Sequence, residues 1–327
     1  MSKSTKFVRQ KKIKTALKSS QNRREKPTSF EIKNLAQLLN DGQYKIALSQ
    51  TDHLLRQYPN SAILHNIKGI SDASLQNWDS AVKSYKRALE FKPNYPEAYN
   101  NLGFALYVTG RYKEAKKNLR KAIKYEKDYA EAYNNLGNVL YREGRLVEAI
   151  KNFSKSIYLE PLFSKAINNK GIILYAQRRY DEAISFYNKA ISIEPKFAEP
   201  FYNKGNALQK QGKLQDAINC YNEALRLKID YPEVYNSMGL ALKDQGKIVE
   251  AIEAYKEALL LRSDYFDAVR NLLKVPVGQL SVELINISRQ VIGEHAKKGK
   301  EDSKYKFLIA NLLRHDLCIK AAFKKFV

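Results

Sequence analysis

Apolar residues return at three- and four-residue spacings through most of this chain, and the whole pattern returns every 34 residues. Residues 130–163 show one period. Tyr133, Leu136 and Leu140 form the apolar stripe of a first helix, with Gly137 beside them. Ala149 and Ser156 fall on a second helix, and three small side chains at these places let the two backbones approach to roughly 8–10 Å. Gly144 sits where the first helix must reverse, because glycine enters the left-handed region without a Cβ clash. Leu146 and Phe153 are expected to fill the gap to the neighbouring unit, and Pro161 ends the second helix because it has no N–H to continue the ladder.

The frame is fixed by Gly69, Gly103, Gly137, Gly171, Gly205 and Gly239, each 34 residues from the next. It reads from 28 to 265 as seven units, starting at Thr28, Ala62, Pro96, Ala130, Ser164, Ala198 and Pro232. The second-helix alanine recurs as Ala47, Ala81, Ala115, Ala149, Ala183, Ala217 and Ala251. In the first unit Leu35 replaces the glycine, which is expected of a terminal unit adapted as a cap. Lys127, Ile229 and Ser263 stand where the other units have the closing proline.

Beyond the repeats, Asp267–Leu273 begins like an eighth first helix, but Pro276 and Gly278 stop it, so 266–302 reads as a capping helix and a linker helix with Ser281 as its N-cap. The stretch becomes polar at 297–302. From 303 to 327, Ala310, Ile319, Ala322 and Phe326 take the spacing of a further repeat, which breaks off inside its second helix. The sequence-level expectation there is a partial, truncated repeat.

The period, and the strings Tyr-Asn-Asn-Leu-Gly (99–103 and 133–137), Ile-Asn-Asn-Lys-Gly (167–171), Phe-Tyr-Asn-Lys-Gly (201–205) and Tyr-Asn-Ser-Met-Gly (235–239), resemble the tetratricopeptide repeat (TPR) family. The resemblance implies an all-α solenoid, a right-handed superhelix of helix-turn-helix units running from about 28 to 274. It also implies that positions 2, 5, 6, 9, 12 and 13 of each unit face a peptide-binding groove. Position 6 carries Asn101, Asn135, Asn169 and Asn203, with Asn271 in the capping helix and breaks at Ile67 and Ser237. This column resembles the asparagine ladder of O-linked N-acetylglucosamine transferases. An Asn amide offers an acceptor and two donors, so a column of them can pair with an extended peptide backbone whatever its side chains. Position 5 adds Asn66, Asn100, Asn134, Asn168 and Asn236, and position 9 adds Asn138 and Asn206. The alternative is that repeat amplification copied Asn, each amide capping local backbone or facing water. Asn is a poor helix former, and its doubled use at a recurring cost of some tenths of a kcal/mol favours a functional groove.

Beside the ladder the same frame sets Phe104, Tyr107, Tyr141, Tyr175 and Tyr202, for which packing between repeats is the competing role. Arg142, Lys165, Lys210 and Lys243 supply cations, balanced by Glu97, Glu131, Glu199 and Glu233 at position 2. The Lys and basic-pair pattern of the chaperone-type carboxylate clamp known in the family is not matched, since Lys165 is followed at position 6 by Asn169. Binding of chaperone C-termini is therefore not expected.

The formal charge of +23 alters this picture less than its size suggests, because it is unevenly placed. Residues 1–26 hold ten Lys or Arg against one acid, whereas 28–265 hold 35 against 27. Residues 1–27 therefore read as a disordered basic tail. Lys3, Lys6, Arg9, Lys11, Lys12, Lys14, Lys18, Arg23 and Arg24 could meet phosphates on RNA, DNA or acidic lipid, and deleting 1–26 is expected to remove most such affinity. A transit peptide is the minority reading of the same residues. Cys220 and Cys318 lie far apart and read as buried thiols, not as a disulfide. No secretory signal and no run of eighteen apolar residues occurs, so the expectation is a cytoplasmic protein without a membrane span. His53, His65, His295 and His315 have no metal-ligand spacing, and no phosphate-binding glycine loop occurs.

Three functions follow as expectations. The first is a non-enzymatic scaffold, without cofactor, that holds an extended segment of a partner protein or peptide in the groove. The second takes the chain as the substrate-presenting arm of a transferase whose catalytic domain is missing. It rests on Leu280–Val327, where Val277-Gly-Gln-Leu-Ser and Ala310-Asn-Leu-Leu-Arg-His resemble the join in TPR-containing sulfotransferases. The third is a nucleic-acid-associated scaffold acting through the basic tail.

Overall fold

The chain enters its first helix at Thr28 because a capping box closes there. The Glu31 N–H donates to Thr28 Oγ1 at 3.2 Å, and the Thr28 N–H donates back to Glu31 Oε2 at 2.6 Å, so two otherwise orphaned donors are satisfied. Helix α1 (Ser29–Asn40) follows and pairs with α2 (Tyr44–Gln57). The computed structural model describes residues 26–276, 280–297 and 311–315, and it separates into two compact units, Met1–Leu159 and Glu160–Val327. All elements among the described residues are helical. Readings made on residues 1–25, and on Gly278, Ala310, Cys318, Ile319, Ala322 and Phe326, lie outside the described residues.

The N-terminal unit continues with α3 (Ala62–Ser74), α4 (Trp78–Phe91), α5 (Pro96–Val108), α6 (Tyr112–Tyr125), α7 (Ala130–Arg142) and α8 (Leu146–Leu159). The C-terminal unit contains α9 (Ser164–Ala176), α10 (Tyr180–Ile193), α11 (Ala198–Lys210), α12 (Leu214–Leu227), α13 (Pro232–Asp244), α14 (Ile248–Leu261), α15 (Phe266–Leu272) and α16 (Val282–Lys297). Odd-numbered helices are the first members of each pair and even-numbered helices the second, up to α14. Pro96 and Pro232 stand in the first turn of α5 and α13, where a missing N–H costs nothing.

A pair closes by seating a large side chain on the glycine. At Gly137 an added Cβ would stand 2.6 Å from the Phe153 ring, and Phe153 is fully buried. Tyr85, Leu119, Tyr187, Tyr221 and Tyr255 cover Gly69, Gly103, Gly171, Gly205 and Gly239 in the same way. The contact of Phe153 is thus made inside its own unit, with the glycine of α7, where the sequence suggested the gap to a neighbour. Ser156 adds a second tie within the pair, its hydroxyl donating to the Ala130 carbonyl at 2.8 Å.

The first unit obeys the same rule with the volumes exchanged. Leu35 occupies the glycine position, and the position of the covering ring is Thr51, whose hydroxyl folds back onto the Ala47 carbonyl at 2.6 Å. Leu35 is buried with Leu54, Tyr58, Leu64 and Ile67. Its presence is explained by volume complementarity with a small partner position, a reason independent of terminal capping.

The reversal between paired helices uses one residue in the left-handed region. Gly144 has φ 75°, and the Arg145 N–H reaches back five residues to the Leu140 carbonyl at 2.9 Å. At the equivalent place two units carry a side chain, Gln76 and Arg178, both at φ 62°. Left-handed backbone costs an L-residue about 1–2 kcal/mol, and glycine gives back up to about 1 kcal/mol through its freer unfolded chain. Arg178→Gly is therefore expected to stabilise the C-terminal unit by a few tenths to about 1 kcal/mol. Chemical denaturation should show a midpoint shifted upward with an unchanged slope, and a downward shift would contradict the assigned strain.

In the C-terminal unit, α15 buries Ala268, Val269 and Leu272, and these meet Leu280, Leu284, Ile285, Val291 and Ile292 of the following segment. Ser281 caps α16, with the Leu284 N–H donating to its hydroxyl at 3.3 Å. Cys220 is a free thiol, pushed upward in pKa by burial. No helix among the described residues is long and apolar enough to cross a membrane.

Candidate peptide-binding face

The two asparagine columns meet each other. In the N-terminal unit Asn101 Nδ2 donates to Asn66 Oδ1 at 3.2 Å, and Asn135 Nδ2 donates to Asn100 Oδ1 at 2.9 Å. In the C-terminal unit Asn203 Nδ2 donates to Asn168 Oδ1 at 3.0 Å, and Asn271 Nδ2 to Asn236 Oδ1 at 3.0 Å. Each bond spans 35 residues and links a position-6 donor to a position-5 acceptor one unit earlier. The doubled Asn is thus a clasp between adjacent first helices, which the sequence-level choice between peptide ladder and copied residue did not include.

Burial follows from that pairing. Asn66, Asn100, Asn134, Asn135, Asn168 and Asn271 are buried, whereas Asn101, Asn138, Asn169, Asn203 and Asn206 are half-buried. Asn66 Nδ2 also donates to the Tyr95 hydroxyl at 3.4 Å, and Asn100 lies beside Tyr129, where its amide lowers a phenol pKa that burial raises. Burial likewise raises Tyr95. Asn206 accepts from the Tyr221 hydroxyl at 2.8 Å, in competition with Gln209 Oε1 at 2.9 Å for the single phenolic hydrogen. Ile67, at a break in the ladder, packs with Leu35, Leu54 and Leu64 instead.

A clasp consumes one N–H of the position-6 amide and fixes its plane. By valence the Oδ1 and the second N–H of Asn101, Asn135 and Asn203 remain able to bond. An amide held in one orientation loses little entropy when it binds.

Aromatic rings extend this face in the N-terminal unit. Trp78 meets Phe104 edge-on at 6.2 Å, Phe104 lies 6.4 Å from Tyr107, and Tyr107 lies 6.0 Å from Tyr112. Phe104 is 39% exposed. Arg142 is exposed at the end of this row and donates from Nε to the Tyr107 hydroxyl at 3.3 Å, a contact that raises its pKa further. Tyr141 is half-buried. Trp78 and Tyr112 were missed in the sequence because they start second helices, at position 17, outside the six groove positions of the family pattern. The signal that could have found them is the aromatic preference of that position, seen again in Tyr44 and Tyr180.

In the C-terminal unit Tyr175 lies 5.6 Å from Tyr180, and Tyr202 stands between Tyr221 and Tyr231 at 6.2 and 5.3 Å. Lys165 and Lys210 are exposed, and no carboxylate stands within ion-pair distance of either among the described residues. Glu233 is paired with Arg262 at 2.9 Å, while Glu97, Glu131 and Glu199 are exposed. No cluster of His, Cys, Asp or Glu able to hold a metal occurs among the described residues.

Sequence comparison matches the TPR repeat model at residues 71–110, 106–144, 171–212 and 205–246, and the tetratricopeptide repeat model at 130–162 and 232–265. Together these cover more than half of the chain. No curated protein sequence matches significantly. Among solved structures, that of the APC/C hetero-tetramer Cut9-Hcn1 superimposes with a TM-score of 0.69 at 20% identity, covering 73% of this chain and 48% of that one. This chain therefore spans about half the length of that relative. The structure of Pseudomonas aeruginosa pilF gives a TM-score of 0.55 at 23% identity, over 66% of this chain and 96% of that one. At these identities the likeness is one of fold.

Proposed function

Because this chain belongs to the tetratricopeptide-repeat family, whose members are protein-interaction scaffolds, we propose that it holds an extended segment of a partner polypeptide along its first-helix faces, as a non-catalytic cytoplasmic adaptor. The observation that carries this reading is the orientation of Asn101 and Asn135 by their clasps, next to the solvent-facing Phe104 and the Tyr107–Arg142 pair. Fixed amides suit the alternating C=O and N–H groups of an extended backbone, and the rings add apolar contact without demanding a particular side chain. In the C-terminal unit the Asn203 clasp and Tyr202 offer the same combination, with Lys210 exposed on the same helix.

The experiment places a photoreactive benzophenone at Phe104, and as control at Val147, which is 80% exposed on the second helix α8. Partner peptides cross-linked from position 104 should map to short linear segments. Cross-links formed only from position 147, or mapping across the surface of a folded domain, would overturn the proposal.

A further inference from the structure

We propose that the outer face of the second helices in the N-terminal unit is a docking surface for the phosphate backbone of double-stranded nucleic acid. Position 22 is lysine in three successive second helices, Lys83, Lys117 and Lys151, and all three are exposed. Position 26 is Arg87, Lys121 and Lys155 in the same helices, and Arg120 stands exposed between the rows on α6. Identical repeat positions put each row on one side of the helices, with the rows one turn, about 6 Å, apart along the axis. Helix α6 alone carries six Lys or Arg against one Glu. The linear charge count hid this, because acids elsewhere in 28–265 nearly balance it.

Most of these cations have no internal use. Lys116 is withdrawn onto both Glu143 oxygens at 2.8 and 2.7 Å, which lowers the Glu143 pKa, and Arg87 pairs with Glu90. Lys121 lies 5.0 Å from the Tyr99 ring centre and Lys155 4.9 Å from that of Tyr158. Lys83, Lys117, Arg120 and Lys151 have no ion-pair partner among the described residues. The fold does not require them either. In α10, α12 and α14 position 22 is Ser185, Asn219 and Glu253, and position 26 is Lys189, Glu223 and Glu257. Repeat copying therefore does not explain a basic field confined to one unit.

The chemistry of the face selects the occupant. Single strands are gripped by aromatic platforms, whereas the exposed rings here, Tyr125 stacked on Tyr99 at 5.7 Å and Tyr158 beneath Lys155, stand at the ends of α6 and α8 and not between the cation rows. Membrane surfaces are held by cations interleaved with apolar anchors, whereas α6 exposes none between Lys113 and Lys124, and the exposed apolar side chains of α8, Val147 and Tyr158, lie at its two ends outside the cation rows. A duplex presents dense charge, one per about 1.7 Å of axis, on a rigid frame that a repeated row of lysines can meet without base contacts. The surface is separate from the peptide face and stands without that reading.

The test uses the full-length chain and a labelled mixed-sequence DNA duplex, with binding followed by anisotropy over a series of NaCl concentrations. Lys83→Gln, Lys117→Gln, Arg120→Gln and Lys151→Gln combined should weaken binding at least tenfold at low salt. They should also reduce the slope of log K against log salt by about 3–4, since each lost phosphate contact removes about 0.9. A control with Lys189→Gln, Arg226→Gln and Lys256→Gln in the C-terminal unit should leave the slope unchanged. All seven sites are exposed or half-exposed on helices, and unchanged thermal melts would establish that the variants are folded. An unaltered slope in the quadruple variant, or an equal fall in the control, would overturn the proposal. So would equal affinity for a single strand of the same sequence, or a loss of binding to phosphatidylserine vesicles in place of the duplex.

Discussion

Gly137→Leu is expected to destabilise the N-terminal unit by more than the roughly 1–3 kcal/mol typical of overpacking, since even one added carbon would stand 2.6 Å from the buried Phe153 ring. Gly137→Ala should fall within that range. For a unit of this size, each kcal/mol lowers Tm by about 2–4 °C, so the leucine variant should melt at least about 6 °C lower. The first unit supplies the internal control, because Leu35 with Thr51 already exchanges these volumes. Adding Phe153→Thr to Gly137→Leu should restore at least half of the loss, with the new hydroxyl able to reach the Ala149 carbonyl as Thr51 reaches Ala47. An unchanged melt in the single variant, or no recovery in the double, would mean that the ring-on-glycine contact does not set the helix spacing.

The Asn101→Ala, Asn135→Ala pair is expected to weaken binding of an extended partner segment by about 1–3 kcal/mol if two net hydrogen bonds are lost and add. That corresponds to roughly five- to 150-fold, with little change in selectivity because backbone contacts carry no side-chain preference. Asn169→Ala with Asn203→Ala should do the same for the C-terminal unit. From helix propensity alone, folding would be spared or slightly improved. The clasps reverse that sign. Removing Asn135 leaves the buried Asn100 Oδ1 without its donor, which costs about 1–3 kcal/mol of stability. Asn100→Ala separates the two roles, since it breaks the clasp while retaining the Asn135 amide. Calorimetric titration of a partner peptide identified by cross-linking should show a larger loss for Asn135→Ala than for Asn100→Ala. Equal losses would assign the amides to packing alone and move the binding determinants to Phe104, Tyr107 and Arg142.

The helix pairs, their register and their small-residue columns were legible in the sequence, because a glycine returning every 34 residues among apolar residues at helical spacing allows one frame. So was Ser281 as a cap, since capping is a local interaction of a side chain with backbone two or three residues away. Hidden were the facts that depend on which residue of one unit faces which residue of another element. Gly137 read as a site of close approach, yet only packing shows that Phe153 of the same unit occupies it, and that Leu35 with Thr51 solves the same volume problem in reverse. Asn100 and Asn135 each read as a groove residue, but a hydrogen bond between amides 35 positions apart exists only once two first helices lie side by side. The lysines of α4, α6 and α8 were diluted in a net count along the chain, and tertiary structure gathered them because stacking equivalent helices brings position 22 of each unit to one face. Periodicity fixes which residues occupy equivalent places, whereas partner choice and the surfaces that equivalent places add up to are set by distances through space, which sequence separation does not encode.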